Sequence, residues 1–186
     1  MCAYWGNPLK QTVFVGVGTN INPENNVLRG LDLLMQRVSV GAASSFYWSE
    51  AIGKDGEVVS QPPFLNGVLQ LSTGLTAMQL KYEVLRPVEE MLGRVRIADR
   101  FSDRPLDLDI LLFENQVVAG PELQIPDRDI WKRAFVALPL LEVAGNICLP
   151  GCDDLLGDVV HTLDTACLTK NVAVTLGVKN RLKAKE

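Results

Sequence analysis

Apolar and polar positions along the chain follow two periods, one of strands and one of helices. "TVFVGVGTN" is apolar at most positions and ends in Gly and Asn, which predicts a first strand closed by a turn. "NPENNVLRGLDLLMQRV" then sets Val27, Leu31, Leu34 and Val38 at helical spacing behind Asn22 and Pro23, both start signals. "VSVGAASSFYWS" reads as a second strand, and the Gly, Pro and charge-rich "GKDGEVVSQPP" as a loop into a third, "FLNGVLQLST". A second helix is predicted from about Thr76 to Leu92, with Leu80, Val84, Val88 and Met91 along one side, Pro87 kinking it and Gly93 capping it.

The next apolar run, "RFSDRPLDLDILLF", is a strand followed by a turn at "ENQ", with "VVAG" as its expected hairpin partner. "IPDRDIWKRAFVALPLLEVAG" predicts a short helical turn and a helix near Val136 to Val143. A further helix is expected at about Asp154 to Leu163, then a short strand "VAVTL" and a charged, frayed end. Met1 to Lys10 have no periodicity and read as a leader. Strands and helices interspersed in this order predict one α+β domain over residues 1–186, with helices packed on an antiparallel or mixed sheet. A chain of 186 residues that is 47% hydrophobic has the material for one core.

Charge narrows the partners. A net charge of −4 and a sequence pI near 5.1 argue against a general nucleic-acid or membrane surface and leave room for a local basic cluster. No apolar run reaches the length of a membrane span. Cys2, Cys148, Cys152 and Cys167 form no disulfide framework and no signal segment opens the chain, so a reducing cytoplasm is expected. His161 is too far along from Cys148 and Cys152 to complete a zinc tetrahedron, and these thiols read as ordinary ones.

The chemistry concentrates in "RFSDRPLDLDILLF". Side chains two apart on a strand share a face, so Asp107 and Asp109 lie together while Leu106, Leu108, Ile110 and Leu112 line the opposite side. Two such carboxylates repel unless one takes a proton, leans into water, or shares a cation. Mg²⁺ favours such hard oxygen ligands together with nucleotide phosphates. Arg94, Arg96, Arg100 and Arg104 precede the acids. They form either a salt-bridge web of small energetic value or a clamp for polyphosphate, whose oxygens match the guanidinium fork. Acids for metal beside arginines for phosphate indicate phosphoryl-type transfer. "GVGTN" lacks the P-loop spacing and reads as a structural strand end. Phe64 and Phe135 read first as core, whereas Asn66, an amide in an apolar strand, requires hydrogen-bond partners that a flat heteroaromatic ring supplies.

These segments, in the order "VGTN", "SSFY", "FLNGV", "GRVR", "RPLDLDILLF" and "IPDRDIWKRAFVALPLLEV", resemble the 6-hydroxymethyl-7,8-dihydropterin pyrophosphokinases of folate biosynthesis over roughly Thr12 to Gly151. The resemblance implies a ferredoxin-like α+β domain that transfers pyrophosphate from ATP to the pterin hydroxymethyl group and releases AMP. It implies that Asp107 and Asp109 hold two Mg²⁺ ions, that Arg94 and Arg104 assist transfer, and that Glu89, Arg96, Arg100, Asp127 and Arg133 lie along ATP. It implies further that Asn66 reads the pterin edge, that Phe64, Phe101 and Phe135 flank the ring, and that Ser49 and Ile52 wall the pocket.

Four residues, at three places along the chain, depart from the family's usual pattern. Asp127 and Arg128 stand where His and Tyr are common, Phe101 where Trp is, and Glu50 where Pro is. Asp127 brings a carboxylate towards a polyanion, with Arg128 the expected countercharge. A pterin-binding homologue with weakened chemistry and another two-metal nucleotide-dependent transferase are the competing readings. Pterin and ATP are the expected partners, and oligomeric state is not encoded in any residue pattern found.

Overall fold

The computed structural model describes residues 10–53, 57–95 and 103–185. The strands are β1 (Gln11–Thr19), β2 (Ser39–Ala43), β3 (Phe46–Ser49), β4 (Phe64–Thr73), β5 (Asp107–Phe113), β6 (Val118–Ala119), β7 (Gln124–Ile125) and β8 (Thr169–Asn171). The helices are α1 (Pro23–Leu34), α2 (Ala77–Gln79), α3 (Arg86–Met91), α4 (Ala134–Ala144), α5 (Leu156–His161) and α6 (Val172–Lys183). The main sheet runs β5-β1-β4-β3-β8, with β2 also paired to β4, and its pairings are antiparallel. Helices cover it on two sides, giving the α+β class that the interspersed periods predict.

Alternation along β1 builds one of the two core layers. Val13, Val15 and Val17 are buried with Leu31 and Leu34 of α1, Leu80, Val88 and, from α6, Val174 and Val178. Phe14 points the other way, towards Val68, Leu111 and Leu112, Ile130, and the apolar sides of α4 and α5. Burying a side chain such as Phe113 or Leu140 contributes about 1.5–3 kcal/mol, so these two layers hold the sheet from both sides.

Strand β5 serves both layers because its register slips. Opposite β1, Val15 meets Ile110 while Phe14 meets Leu112, which leaves Leu111 as an extra residue. Leu106, Leu108 and Ile110 therefore pack in the first layer, but Leu112 joins Leu111 in the second. The expectation that Leu112 shares the face of Leu108 fails at this bulge.

Other departures have equally local causes. "VSVGAASSFYWS" is two strands, since the Ser44 hydroxyl accepts from the Val68 N–H at 2.8 Å and turns the chain between β2 and β3. "VVAG" does not pair with β5; Val118 and Ala119 pair with Ile125 and Gln124 in a separate ribbon. "VAVTL" opens α6 instead of forming a strand, because the Asn171 side chain accepts from the Val174 N–H at 3.0 Å and caps a helix. The predicted helix over Thr76–Leu92 passes through a π-helical stretch, Leu80–Leu85. Pro87 has no N–H to give the carbonyl four residues back, and the turn before it widens, with the Arg86 N–H reaching Lys81 O. Gly93, at φ 90°, ends the helix as expected.

Candidate active site

A cleft of about 930 Å³ opens on the sheet face that carries Val68 and Leu111, beside the first turn of α4. Its floor is set by strand register. Gly18 of β1 lies opposite Asp107 of β5 on one side and Asn66 of β4 on the other, and Gly16 lies opposite Asp109. A Cβ on Gly18 would stand 3.3 Å from the Asn66 side-chain oxygen and 4.0 Å from Asp107 Cβ. The "GVG" run is thus strand, and its missing side chains open a floor between an amide and two carboxylates.

The carboxylate end is ionic. Arg94 donates through Nη1 both to Glu89, at 2.5 Å, and to Asp107, whose second oxygen accepts from Arg104. Burial pushes the Asp107 carboxyl up, but Arg94 and Arg104 outweigh it and hold the group below the usual carboxylate range. Asp109 is the opposite case. The neighbouring Asp107 charge above all, with Asp127 and Glu89 adding to it, holds its carboxyl well above that range, although the residue itself stands exposed in the cleft. Two acids on one face with their affinities for protons driven apart are what a cation between them would relieve.

The amide end is neutral. Asn66 is buried and donates to the Ser49 hydroxyl at 3.0 Å and the Phe64 carbonyl at 3.3 Å. Phe64 lies under Arg104, whose guanidinium carbon is 5.5 Å from the ring centroid. Ile52 and Glu50 follow β3 along the wall, Ile52 bridging to Val58. Phe135 faces the cleft from the first turn of α4, and Arg133 stands at that helix's N-cap.

The structure thus brings together Ser49, Ile52, Phe64, Asn66, Arg94, Arg104, Asp107, Asp109, Asp127, Arg133 and Phe135 around one cleft. Arg96, Arg100 and Phe101 lie outside the described residues. Glu89 is placed differently from a nucleotide contact. It is 1% exposed, sits behind the cleft, and accepts from the Leu108 N–H at 2.8 Å as well as from Arg94. Asp127 does line the cleft, with its side chain accepting from the Asp129 N–H at 2.7 Å to cap the 3₁₀ turn Arg128–Trp131. Burial raises its pKa, and the opposing cation is Lys81; Arg128 is exposed and outside the cleft lining. Lys81 and Arg86, from the π-helical stretch and the start of α3, also line the cleft, and nothing in the sequence marks them out, since basic residues on a helix read as a solvated face.

A sequence profile of the family described as 7,8-dihydro-6-hydroxymethylpterin-pyrophosphokinase (HPPK) matches residues 14–145. The chain belongs to this family. The match takes in each HPPK segment that lines the cleft, from Gly16 to Val136. Among relatives, the 2-amino-4-hydroxy-6-hydroxymethyldihydropteridine pyrophosphokinase of Haemophilus influenzae is 35% identical over 142 residues, which is 75% of this chain and 85% of that one. The enzyme of the same name from Pseudomonas aeruginosa is 36% identical over 143 residues, again 75% and 85% of the two chains. A solved structure of Plasmodium falciparum HPPK-DHPS has the same fold, with a TM-score of 0.60 at 12% identity over 82% of this chain. The match covers only 44% of that longer protein. No helix among the described residues is long and apolar enough to cross a membrane.

Proposed function

We propose that the cleft transfers the terminal diphosphate of ATP to the hydroxymethyl oxygen of 6-hydroxymethyl-7,8-dihydropterin, releasing AMP. The observation that carries this reading is the floor itself: Asp107, Gly18 and Asn66 side by side on β5, β1 and β4, with a metal-type carboxylate pair at one end and a buried amide at the other. Substrate and polyphosphate then meet over a glycine that leaves room for both.

Asn66, buried and with its nitrogen held by Ser49 and Phe64, presents its side-chain oxygen to the pterin edge, and Phe64 and Phe135 supply apolar surface for the ring. The hydroxymethyl oxygen attacks the β-phosphorus of ATP. The bond from that phosphorus to the oxygen it shares with the α-phosphate breaks, AMP leaves with the electron pair, and the hydroxyl proton is lost. Arg94 and Arg104 neutralise charge on the moving phosphates, and Arg133 extends the basic lining. Holding both reactants on one rigid sheet removes most of the entropic cost of encounter.

The donor set fits Mg²⁺. Asp107 and Asp109 offer hard oxygens on one face, and no group of three or more His, Cys, Asp or Glu among the described residues forms a closed metal cage. The ions would therefore be shared between these two acids and the phosphates, as Mg²⁺ prefers. When bound, they supply charge neutralisation to the polyphosphate.

The test is purified protein with Mg-ATP and the hydroxymethyl-dihydropterin. AMP and pterin diphosphate in equal amounts are expected, and Asp109→Ala should abolish both. Formation of ADP, or pterin binding without AMP at any Mg²⁺ concentration, would overturn the reading.

A further inference from the structure

Asn20, which follows β1, is buried at 6% exposure although it is polar and belongs to no strand or helix. Its contacts explain the burial. The side-chain oxygen accepts from the Arg104 N–H at 2.8 Å, and the side-chain nitrogen donates to Asp103 Oδ1 at 2.5 Å and to the Pro62 carbonyl at 3.4 Å. Its backbone N–H donates to the Arg104 carbonyl at 3.2 Å, and the Ile21 N–H reaches the same oxygen at 3.4 Å. Next to it the Thr19 hydroxyl donates to the Pro105 carbonyl at 2.8 Å.

Pro62 leads into β4 and Asp103 to Pro105 lead into β5, while Asn20 follows the end of β1. One amide therefore fastens the entries of the two strands that flank β1, at the end of the sheet where the cleft lies. Arg104 is the residue it grips twice, the side chain accepting from its N–H and the backbone N–H of Asn20 donating to its C=O. The Arg104 side chain reaches Asp107 from that fixed backbone. A long side chain magnifies any error at its root, and misplacement by about 1 Å costs on the order of a hundredfold in rate.

We infer that Asn20 is a positioning residue for the transfer reaction, acting through the backbone of Arg104 and touching neither substrate. This rests on the reading of the cleft as a diphosphate-transfer site with Arg104 at the phosphates. Asn20 suits this place as an amide because it accepts from Arg104 through its oxygen and donates to Asp103 through its nitrogen at once; an ionised carboxylate of its size, which only accepts, cannot do both.

The test exploits that polarity. Asn20→Asp keeps the acceptor for Arg104 but sets two acceptors against each other across the Asp103 contact. It is expected to lower kcat by about tenfold to a hundredfold while the KM values of both substrates stay within about threefold. Adding Asp103→Asn to the same chain swaps donor and acceptor across that contact and should bring kcat back to within a few-fold of wild type. In an Arg104→Ala background, Asn20→Asp should have no further effect on kcat, because the residue through which it acts is gone. A residue with only a structural role would show the same fold-loss in both backgrounds, and that result overturns the inference, as does failure of the swap to rescue or wild-type kcat in Asn20→Asp. If the wild type itself forms no AMP, the functional reading falls and this inference with it; if the wild type turns over and the swap does not rescue, only this inference falls.

Discussion

Gly18 and Asp107 stand directly opposite each other on β1 and β5, and the bare backbone of the first leaves the second within reach of whatever Asn66 holds. A side chain at position 18 would push on Asn66 rather than on the core, since its Cβ would lie 3.3 Å from the Asn66 oxygen. Gly18→Val is therefore expected to weaken pterin binding by about tenfold, the equivalent of roughly 1.4 kcal/mol, with a smaller effect for Gly18→Ala. Calorimetric titration of the pterin into each variant measures this.

Glu89 anchors the acid-bearing strand from behind. It accepts from both Arg94 and the Leu108 N–H in a site only 2% exposed at the side chain. Glu89→Ala leaves the strand N–H and part of the Arg94 charge without their buried acceptor. A loss of about 2–3 kcal/mol in a urea unfolding experiment is expected, with Glu89→Gln in between because it keeps one acceptor.

Asp109 gives a pH test. Its folded pKa is raised well above the ordinary value near 3.8, chiefly by the neighbouring Asp107 charge. A carboxyl raised in this way opposes folding once it is charged; the penalty is full above the folded pKa and absent below the unfolded one. Without metal, Asp109→Asn should melt higher than wild type at neutral pH, and the gap should close as pH falls towards about 4. Thermal melts in a chelating buffer across that range report it.

Further along the face that carries the cleft, Tyr47 donates to Glu142 of α4, and burial first and this carboxylate second push its pKa up to about 12. Because the unfolded phenol ionises nearer 10.0, the folded state loses stability as pH rises between these values. In an absorbance titration, Glu142→Gln should bring the late-titrating tyrosine down.

Much of the site is legible in the sequence because it depends on local periodicity. Asp107 and Asp109 declare themselves by standing two apart in an apolar strand, and Arg94 and Arg104 by preceding them. Asn66 is legible as an amide that needs partners, although its ligand comes only from the family resemblance. What is not legible depends on contacts far apart in the chain. Asn20 meets Arg104 from the other end of β5's approach, and nothing in "GTN" announces it. Glu89 reads like any helix acid until β5 is laid against it. "VAVTL" misleads because its β-branched residues suit a strand, whereas Asn171 caps a helix and Val174 and Val178 face one core. The "VVAG" pairing fails because strand-like composition does not name a partner.

The placement of β5 has a second consequence. It is the outermost strand of the main sheet, where unpaired backbone groups invite another chain to add on. Glu89 occupies the Leu108 N–H at that margin, and the Asp127 N–H occupies the Leu111 carbonyl at 2.9 Å. The residues that brace the acid-bearing strand also blunt its outer margin, so the same contacts that hold the carboxylates in place guard the sheet against growing by strand addition there.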